Sequence, residues 1–560
     1  MHRRLARRGR RAPCAVIAML ALAAGPLRAQ RVLGSGQAPD AFLVPRGTAR
    51  ISLSQSFDGF AERYDADGKR QPLAAAYNAQ SFGAANLPAL RAADQDVRTL
   101  SGLSLSLGTL NTRADALVRT ARFDLDVGLA SWLTIGATVP YVLTRVDVAA
   151  LLNESGLGAN AAVNPVRSGL SQTTQKAAVD SNRALAAQLD TAAARLQRQL
   201  TGCTPASACD AIQALLGEAA GYRAALERTF GTAPGSGAAF VPANNSAVQQ
   251  AIDQRLSDFS GRVRTQLMEN SDLIVSRPFA PEIPVTTSDL DLLATTDLAG
   301  VVGGEIGAIE HGHLGDVELR ARVRLLDTFG GNADRRLSPR GFNLRAAVTG
   351  TFRLGTGRPD SPDEFFDVGA GDGQDDVEVG ATADALFGSR AWVSVTARYT
   401  VQMADRLPRR ITDSPADAFP EAFRLQTVDR DLGDAMQLEV APRYALSEYF
   451  AVEGYYSFRR TEADTYAGVF DLTSEQTGGD PLTLDAATLG VGTGQREHRV
   501  GWSLVFSTLR GAHGRRPRLP IEIAFSHADV VRGSGFVART STSRIQMRAY
   551  TGLLGGRPTP

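Results

Sequence analysis

Lysine is almost missing from this 560-residue sequence: apart from Lys69 and Lys176, every basic side chain is arginine. Net charge is missing too, with 60 basic residues against 59 acidic ones, which leaves no electrostatic case for nucleic acid. No apolar run reaches the length of a membrane-spanning helix, so a helical membrane protein is excluded. No GxSxG, HExxH, phosphate-binding loop or dinucleotide fingerprint stands in a fitting context, so neither an enzyme nor a cofactor is expected. The six histidines are scattered. His527, in AFSHADV, is the best single candidate for a hydrolase and reads as a solvated strand end. The HGH run at 311–313 reads as a turn rather than a metal site. YDADG at 64–68 lacks the later ligands and closing Glu of a calcium loop and also reads as a turn.

Strict alternation is what the chain does contain. In LGDVELRARVRLL (314–326) Val317, Leu319, Ala321, Val323 and Leu325 share one face of a strand. Asp316, Glu318, Arg320, Arg322 and Arg324 share the other. A soluble sheet edge could carry this pattern. A transmembrane barrel strand requires it, with apolar side chains to lipid and charged ones to the lumen. The pattern recurs. Phe123–Leu129 turns at Ala130-Ser131 into Leu133–Leu143, Val377–Leu386 turns at Gly388-Ser389 into Trp392–Gln402, and Met436–Tyr444 turns near 447 into Tyr449–Arg459. Gln495–Thr508, Pro520–Val530 and Ser543–Leu553 continue the series, Gly47–Phe57 precedes it, and Ser101–Leu107 is a candidate extra strand. Hydrophobic content of 43% agrees with a barrel, because alternation keeps mean hydropathy low.

Turns near 130, 388 and 447 are very short, whereas the connections at 147–313, 355–373, 405–432 and 461–494 are long and rich in Gly, Pro, Asp and Thr. Loop lengths segregated in this way are expected of an outer-membrane barrel, with the short turns periplasmic. Trp132, Trp392, Phe342, Tyr449, Phe450 and Phe506 fall at strand ends on the short-turn side, where an aromatic girdle belongs. The expectation is an all-β, antiparallel transmembrane barrel of about 12 strands, with 14 as the upper bound.

Residues 1–29 have the pattern of an export signal: six arginines, the apolar run Ala15–Gly25, and Leu27-Arg28-Ala29 before Gln30. Removing its seven arginines takes the formal charge from +1 to −6. The remaining organisation is a flexible lead at 30–46 and first strands to 146, a long extracellular connection at 147–313, further strands at 314–553 and a tail at 554–560. Within the long connection three stretches switch to helical spacing: Leu185, Leu189, Leu196, Leu200; then Ile212, Leu215, Ala219, Tyr222, Leu226, Phe230; then Val248, Ile252, Leu256, Phe259, Val263, Leu267. They predict a three-helix insertion at about 168–273, in which Cys203 and Cys209 of CTPASAC could close a small disulfide in an exported chain.

Strand parity points a set of charges of both signs into the lumen: Asp124, Asp126, Asp316, Glu318, Arg320, Arg322, Arg324, Arg345, Arg353, Asp376, Glu378, Arg398, Glu439, Arg443, Glu453, Arg459, Arg499 and Glu522. They could line a polar conduit or pair across a narrow interior, and guanidinium suits ordered pairing with carboxylates in either case.

HLGDVELRARVRLL, followed by FNLRAAVTGTFRLGTGRPDSPDEFFDVGAGDGQDDVEVG, resembles the phenol meta-pathway (MetA-like) outer-membrane barrels and generic outer-membrane transporters, as do LASWLTIGATVPYV and RYDADGKRQPL. The resemblance spans 47–146 and 314–552. It departs at His313-Leu314-Gly315-Asp316, at the proline-free turn Leu354–Gly357, in the helical insertion and at the TGLLGGRPTP end. It implies passage of small, hydrophobic or aromatic molecules across the outer membrane. The expected partners are the lipid bilayer, the barrel-assembly machinery and a small solute, for a monomeric protein of a Gram-negative-type outer membrane. The competing readings are a non-conducting barrel whose helices bind a partner or surface and, third, an outer-membrane hydrolase.

Overall fold

The computed structural model describes residues 38–552 apart from 154–157, 205, 296–297, 299, 302–306, 329–340, 389, 414–416, 448, 478–479 and 509–519. The export-signal and C-terminal-tail expectations therefore lie outside the described residues.

Twelve strands close into one antiparallel barrel: β1 (Thr48–Phe60), β2 (Leu110–Ala130), β3 (Leu133–Leu152), β4 (Val317–Asp327), β5 (Phe342–Leu354), β6 (Asp376–Phe387), β7 (Ala391–Gln402), β8 (Ala435–Ala445), β9 (Phe450–Thr461), β10 (Gln495–Ser507), β11 (Ile521–Ser534) and β12 (Ser541–Gly552). Each pairs with its chain neighbours, and β12 pairs with β1 to shut the ring, so no sheet edge remains within it. Through the band next to the short turns the outward side chains are apolar and exposed, among them Phe123, Leu125, Ile135, Leu319, Val395, Leu438, Leu504, Phe525 and Ile545, whereas the long-loop ends of β2 and β3 carry Arg113, Asp115, Arg119, Arg145 and Asp147 outward. A continuous apolar band over a charged interior is stable only when lipid surrounds it.

The alternation of LGDVELRARVRLL is broken at both ends. Gly315 and Asp316 interrupt the strand, and the short strand Ala308–Leu314 before them extends the pairing along the far half of β3. HGH therefore lies on a strand rather than in a turn, because β3 outlasts β4 and offers a free edge to pair with. At the other end a bulge leaves both Leu325 and Leu326 exposed, so that Asp327 faces inward and meets Arg324 at 3.1 Å.

One end of the barrel carries the short turns at 131–132, 388–390 and 446–449, but also the longer connections 328–341 and 508–520, so loop lengths are less segregated than the sequence suggested. Trp132, Phe342, Tyr449 and Phe450 are exposed there as a girdle, with Phe506 packed on Phe450 at 5.3 Å. Trp392 is not among them. It shares inward parity with Ser394 and Thr396, is buried, and lies under the Arg443 guanidinium.

At the long-loop end stand α1 (Arg91–Ser101), α2 (Gln172–Thr201), α3 (Ala206–Ala225, continuing through Leu226–Phe230) and α4 (Ala247–Leu267). Ser171 and Ser246 cap α2 and α4, each accepting a backbone N–H in the first turn. The three expected apolar stripes share a core with Val97 and Leu100 of α1 and with Leu107, Leu110 and Leu152 at the ends of β2 and β3. The helices therefore pack on one another and on the barrel end. Cys203, just after α2, is bonded to Cys209 in the first turn of α3. Residues 101–108 do not form the extra strand; they end α1 and make isolated bridges, Ser106 to Gly83 and Leu107 to Ala159. The turn in YDADG is built by Asp65, whose carboxylate accepts from Asp67 N and Lys69 N.

Because the outer face is solvated by lipid, Val395→Arg on β7 should destabilise the barrel by about 2–4 kcal/mol. Reversible urea unfolding from vesicles measures this, and Thr396→Ser on the inner face should shift the midpoint far less.

Candidate functional site

The interior has two halves of different character. In the short-turn half nearly every charge is paired and shut away. Arg443 meets Glu453, their side chains 1% and 0% exposed. Arg345 meets Asp384 at 2.7 Å, and Arg50 and Arg320 converge on Asp126 at 2.8 and 2.9 Å, with Asp124 at 3.6 Å from Arg320. Glu522 accepts from Tyr550 Oη at 2.8 Å.

What buries these groups is residues 38–46, which run inside the barrel rather than trailing as a flexible lead. Ala38 N donates to Glu453 Oε1 at 3.2 Å, Ala41 N to Asp384 Oδ2 at 3.1 Å and Val44 N to Thr134 Oγ1 at 3.1 Å. In return Arg443 donates to Ala38 O at 2.8 Å, and Arg322 to the carbonyls of Asp40 and Phe42 at 3.1 and 3.3 Å. The wall makes room with small inward residues. Ala38 packs on Ala441 and Ala528, Ala41 on Ala347. A Cβ on Gly128 would stand 2.2 Å from Pro45 O, so only glycine admits the segment there. The segment forms no helix or strand, and lumen carboxylates, arginines and Thr134 take up much of its backbone hydrogen bonding.

In the long-loop half the arginines are paired but open, while their partners Asp376 and Glu439 are buried, 1% and 6% exposed. Arg353 meets Asp376 at 2.7 Å and Glu318 at 4.0 Å, Arg122 meets Glu318 at 3.1 Å, and Arg398 meets Glu439 at 2.8 Å and Glu378 at 4.0 Å. The arginines here keep substantial exposure, 31% for Arg353, 41% for Arg122 and 27% for Arg398. Arg499 pairs with Glu497 of its own strand at 3.0 Å, and Arg459 keeps an exposed side chain.

Asp316 stands apart from this set. From the interruption before β4 its carboxylate accepts from Gly357 N at 2.7 Å and Asp372 N at 3.4 Å. A Cβ on Gly371 would lie 2.4 Å from Asp316 Oδ2. The Asp of the HLGD run and the glycines of GTG and GAGDG thus form one device, which folds the 355–375 connection over the mouth of the barrel. Arg409 grips Asp360 through two nitrogens at 2.7 and 3.0 Å, and Arg410 reaches Asp363 at 3.0 Å. Beside this loop Arg424's hydrogen bonds hold the Asp413 carboxylate below the usual range. Between loop and wall lies a cavity of about 490 Å³, lined by Val118, Thr120, Val142, Asp360, Val368–Asp372, Arg409, Arg430, Leu432 and Tyr466.

His527 faces outward beside Trp502, 3.1 Å from Ser543 Oγ, away from the lumen and its carboxylates. Among the described residues one mixed group offers metal-donor atoms close together: His311, Glu364 and Asp367. The buried segment 38–46 escaped sequence reasoning. The signals that mark it are the apolar AFLVP at 41–45 and the small inward residues Gly128, Ala347, Ala441 and Ala528.

A closed ring with a lipid-facing exterior and a polar interior defines an outer-membrane β-barrel. No protein-family model and no curated protein matches the chain. Among solved structures it aligns with the COG4313 outer membrane channel from Pseudomonas putida F1 over 92% of this chain and 100% of that one, at 6% identity and a TM-score of 0.40. A Pseudomonas aeruginosa FadL homologue aligns over 94% of this chain and 97% of its own, at 8% identity and a TM-score of 0.26. The Pseudomonas putida toluene transporter TodX aligns over 94% and 98%, at 11% identity and a TM-score of 0.24. Overlaps this loose carry no functional argument, and the barrel stands on its own strand ring.

Glu453→Gln would leave the buried Arg443 charge with only the longer carboxylate contact, to Asp40 at 3.9 Å, and a loss of about 3 kcal/mol is expected. Pairing it with Arg443→Met should recover much of that loss, which a double-mutant unfolding cycle would reveal.

Proposed function

We propose that the protein is a passive outer-membrane channel for a small solute, with the long-loop end facing outward and residues 38–46 occluding the periplasmic half of the lumen. One observation carries the reading: charges in the short-turn half are buried against residues 38–46, whereas the arginines of the long-loop half, Arg353, Arg398 and Arg122, keep part of their exposure around the lumen. A barrel kept only for rigidity would gain nothing from arginines left partly exposed in one half of its interior.

The solute we infer has a compact apolar body, of the size of a substituted aromatic ring. The mouth cavity supports this, because Val118, Val142, Val368, Ala370 and Leu432 supply apolar walls and Asp360, Asp372, Arg409 and Arg430 supply a polar rim. Its volume falls within the roughly 300–1,000 Å³ of small-molecule sites. The phenol-pathway resemblance of the HLGD and GAGDG segments points the same way. The lumen charges act as walls whose pairing leaves no strong net field, which suits a neutral solute better than a highly charged one.

Proteoliposomes holding the refolded protein should take up phenol-sized solutes faster than protein-free vesicles. A form lacking 165–275 should take them up faster still if the helical layer restricts the mouth. Uptake equal to that of empty vesicles in both forms would overturn the transport reading and leave a barrel whose helices serve another purpose.

A further inference from the structure

His311 and His313 alternate with Gly312 on a strand, so both side chains project from one face. Opposite them the folded-in 355–375 connection presents Glu364 and Asp367. His311 Nε2 lies 2.8 Å from Glu364 Oε2 and 3.8 Å from Asp367 Oδ1, and one donor atom from each of the three residues falls within 4.8 Å of the others. The 2.8 Å contact is a hydrogen bond as it stands, and small shifts would bring the three donors to the roughly 3.3–3.6 Å mutual spacing set by bonds of about 2.0–2.2 Å around a first-row divalent ion.

The donors are oriented before any ion arrives. The Asp367 side chain is 1% exposed, and its Oδ2 is taken by Arg358 at 3.2 Å and by Ser361 N at 2.8 Å, which turns Oδ1 toward His311. A ligating carboxylate braced through its second oxygen is the usual support of a metal site. Glu364 and His311 are partly exposed, so the group is reachable from the mouth. Arg358 also donates to His313 Nε2 at 3.1 Å, which leaves that imidazole a supporting place beside the three donors.

We propose that His311, Glu364 and Asp367 form a binding site for a divalent first-row transition ion of the Zn²⁺ class. The site joins the short strand Ala308–Leu314 to the connection that covers the mouth. One imidazole and two carboxylates favour Zn²⁺, Co²⁺ or Ni²⁺ over Ca²⁺ or Mg²⁺, which prefer all-oxygen shells. The ion would neutralise two carboxylates that Arg358 alone balances incompletely.

The test uses full-length refolded protein without a polyhistidine tag, titrated with Co²⁺ and followed by its visible absorption, then competed with Zn²⁺. One ion per chain is expected, displaced by Zn²⁺. Affinity should fall more than tenfold in His311→Ala and in Asp367→Asn, and remain unchanged in His498→Ala and His527→Ala. Heat-modifiable migration on gels checks that each variant keeps its barrel. Absence of Co²⁺ binding in the folded wild type, or binding that His311→Ala and Asp367→Asn leave intact, would overturn the proposal.

Discussion

Charge inside a lipid-surrounded ring has only two stable fates: to be paired or to be wetted. This chain uses both, and the division between them organises the molecule. Where the barrel is filled, Arg443–Glu453 and Arg345–Asp384 are dry and hydrogen-bonded, and Asp126 receives two guanidinium groups. Where it is not, Arg353, Arg398 and Arg122 keep a carboxylate partner and part of their exposure. Arginine suits both halves because its planar fork can hold a carboxylate and still donate elsewhere. Arg443 does so when it binds Glu453 and Ala38 O together.

The filling comes from the chain itself. A peptide segment drawn into a barrel must satisfy every N–H and C=O it carries. Residues 38–44 meet much of that demand with side chains of the wall rather than with a strand partner, and Phe42 N is met by Asp40 of the segment itself. The same carboxylates thus serve two structural purposes, neutralising arginine and receiving backbone amides. At the opposite end Asp316 plays a comparable part for the 355–375 connection, with glycines at 357 and 371 allowing the close approach.

Much of the barrel is legible because lipid and lumen impose opposite chemistries on alternate residues, a period that is clean in β7 and in the short-turn halves of β2 and β3, whereas Arg113, Asp115, Arg119, Arg145 and Asp147 invert it toward their long-loop ends. The three long helices were legible for a related reason, their stripes being continuous over many turns. Inward parity was also readable for Trp392, which shares it with Ser394 and Thr396, yet its position at a strand end suggested a girdle. Other features left no periodic trace. The bulge at Leu325 shows only as two adjacent leucines, α1 has too short a stripe (Ala93, Val97, Leu100), and HGH takes strand geometry only because β3 runs past β4. The segment 38–46 leaves the least trace in the sequence, since its structure depends on side chains hundreds of residues away.

On the proposed function a polar path runs through the barrel and residues 38–46, chiefly 38–44, occlude it. Single-channel conductance in planar bilayers, compared between the full chain and a form lacking 38–44, tests it most directly. The account predicts small discrete steps for the full chain and several-fold larger ones for the shortened form. Equal conductance in a shortened barrel that remains folded, or none in either form, would contradict it.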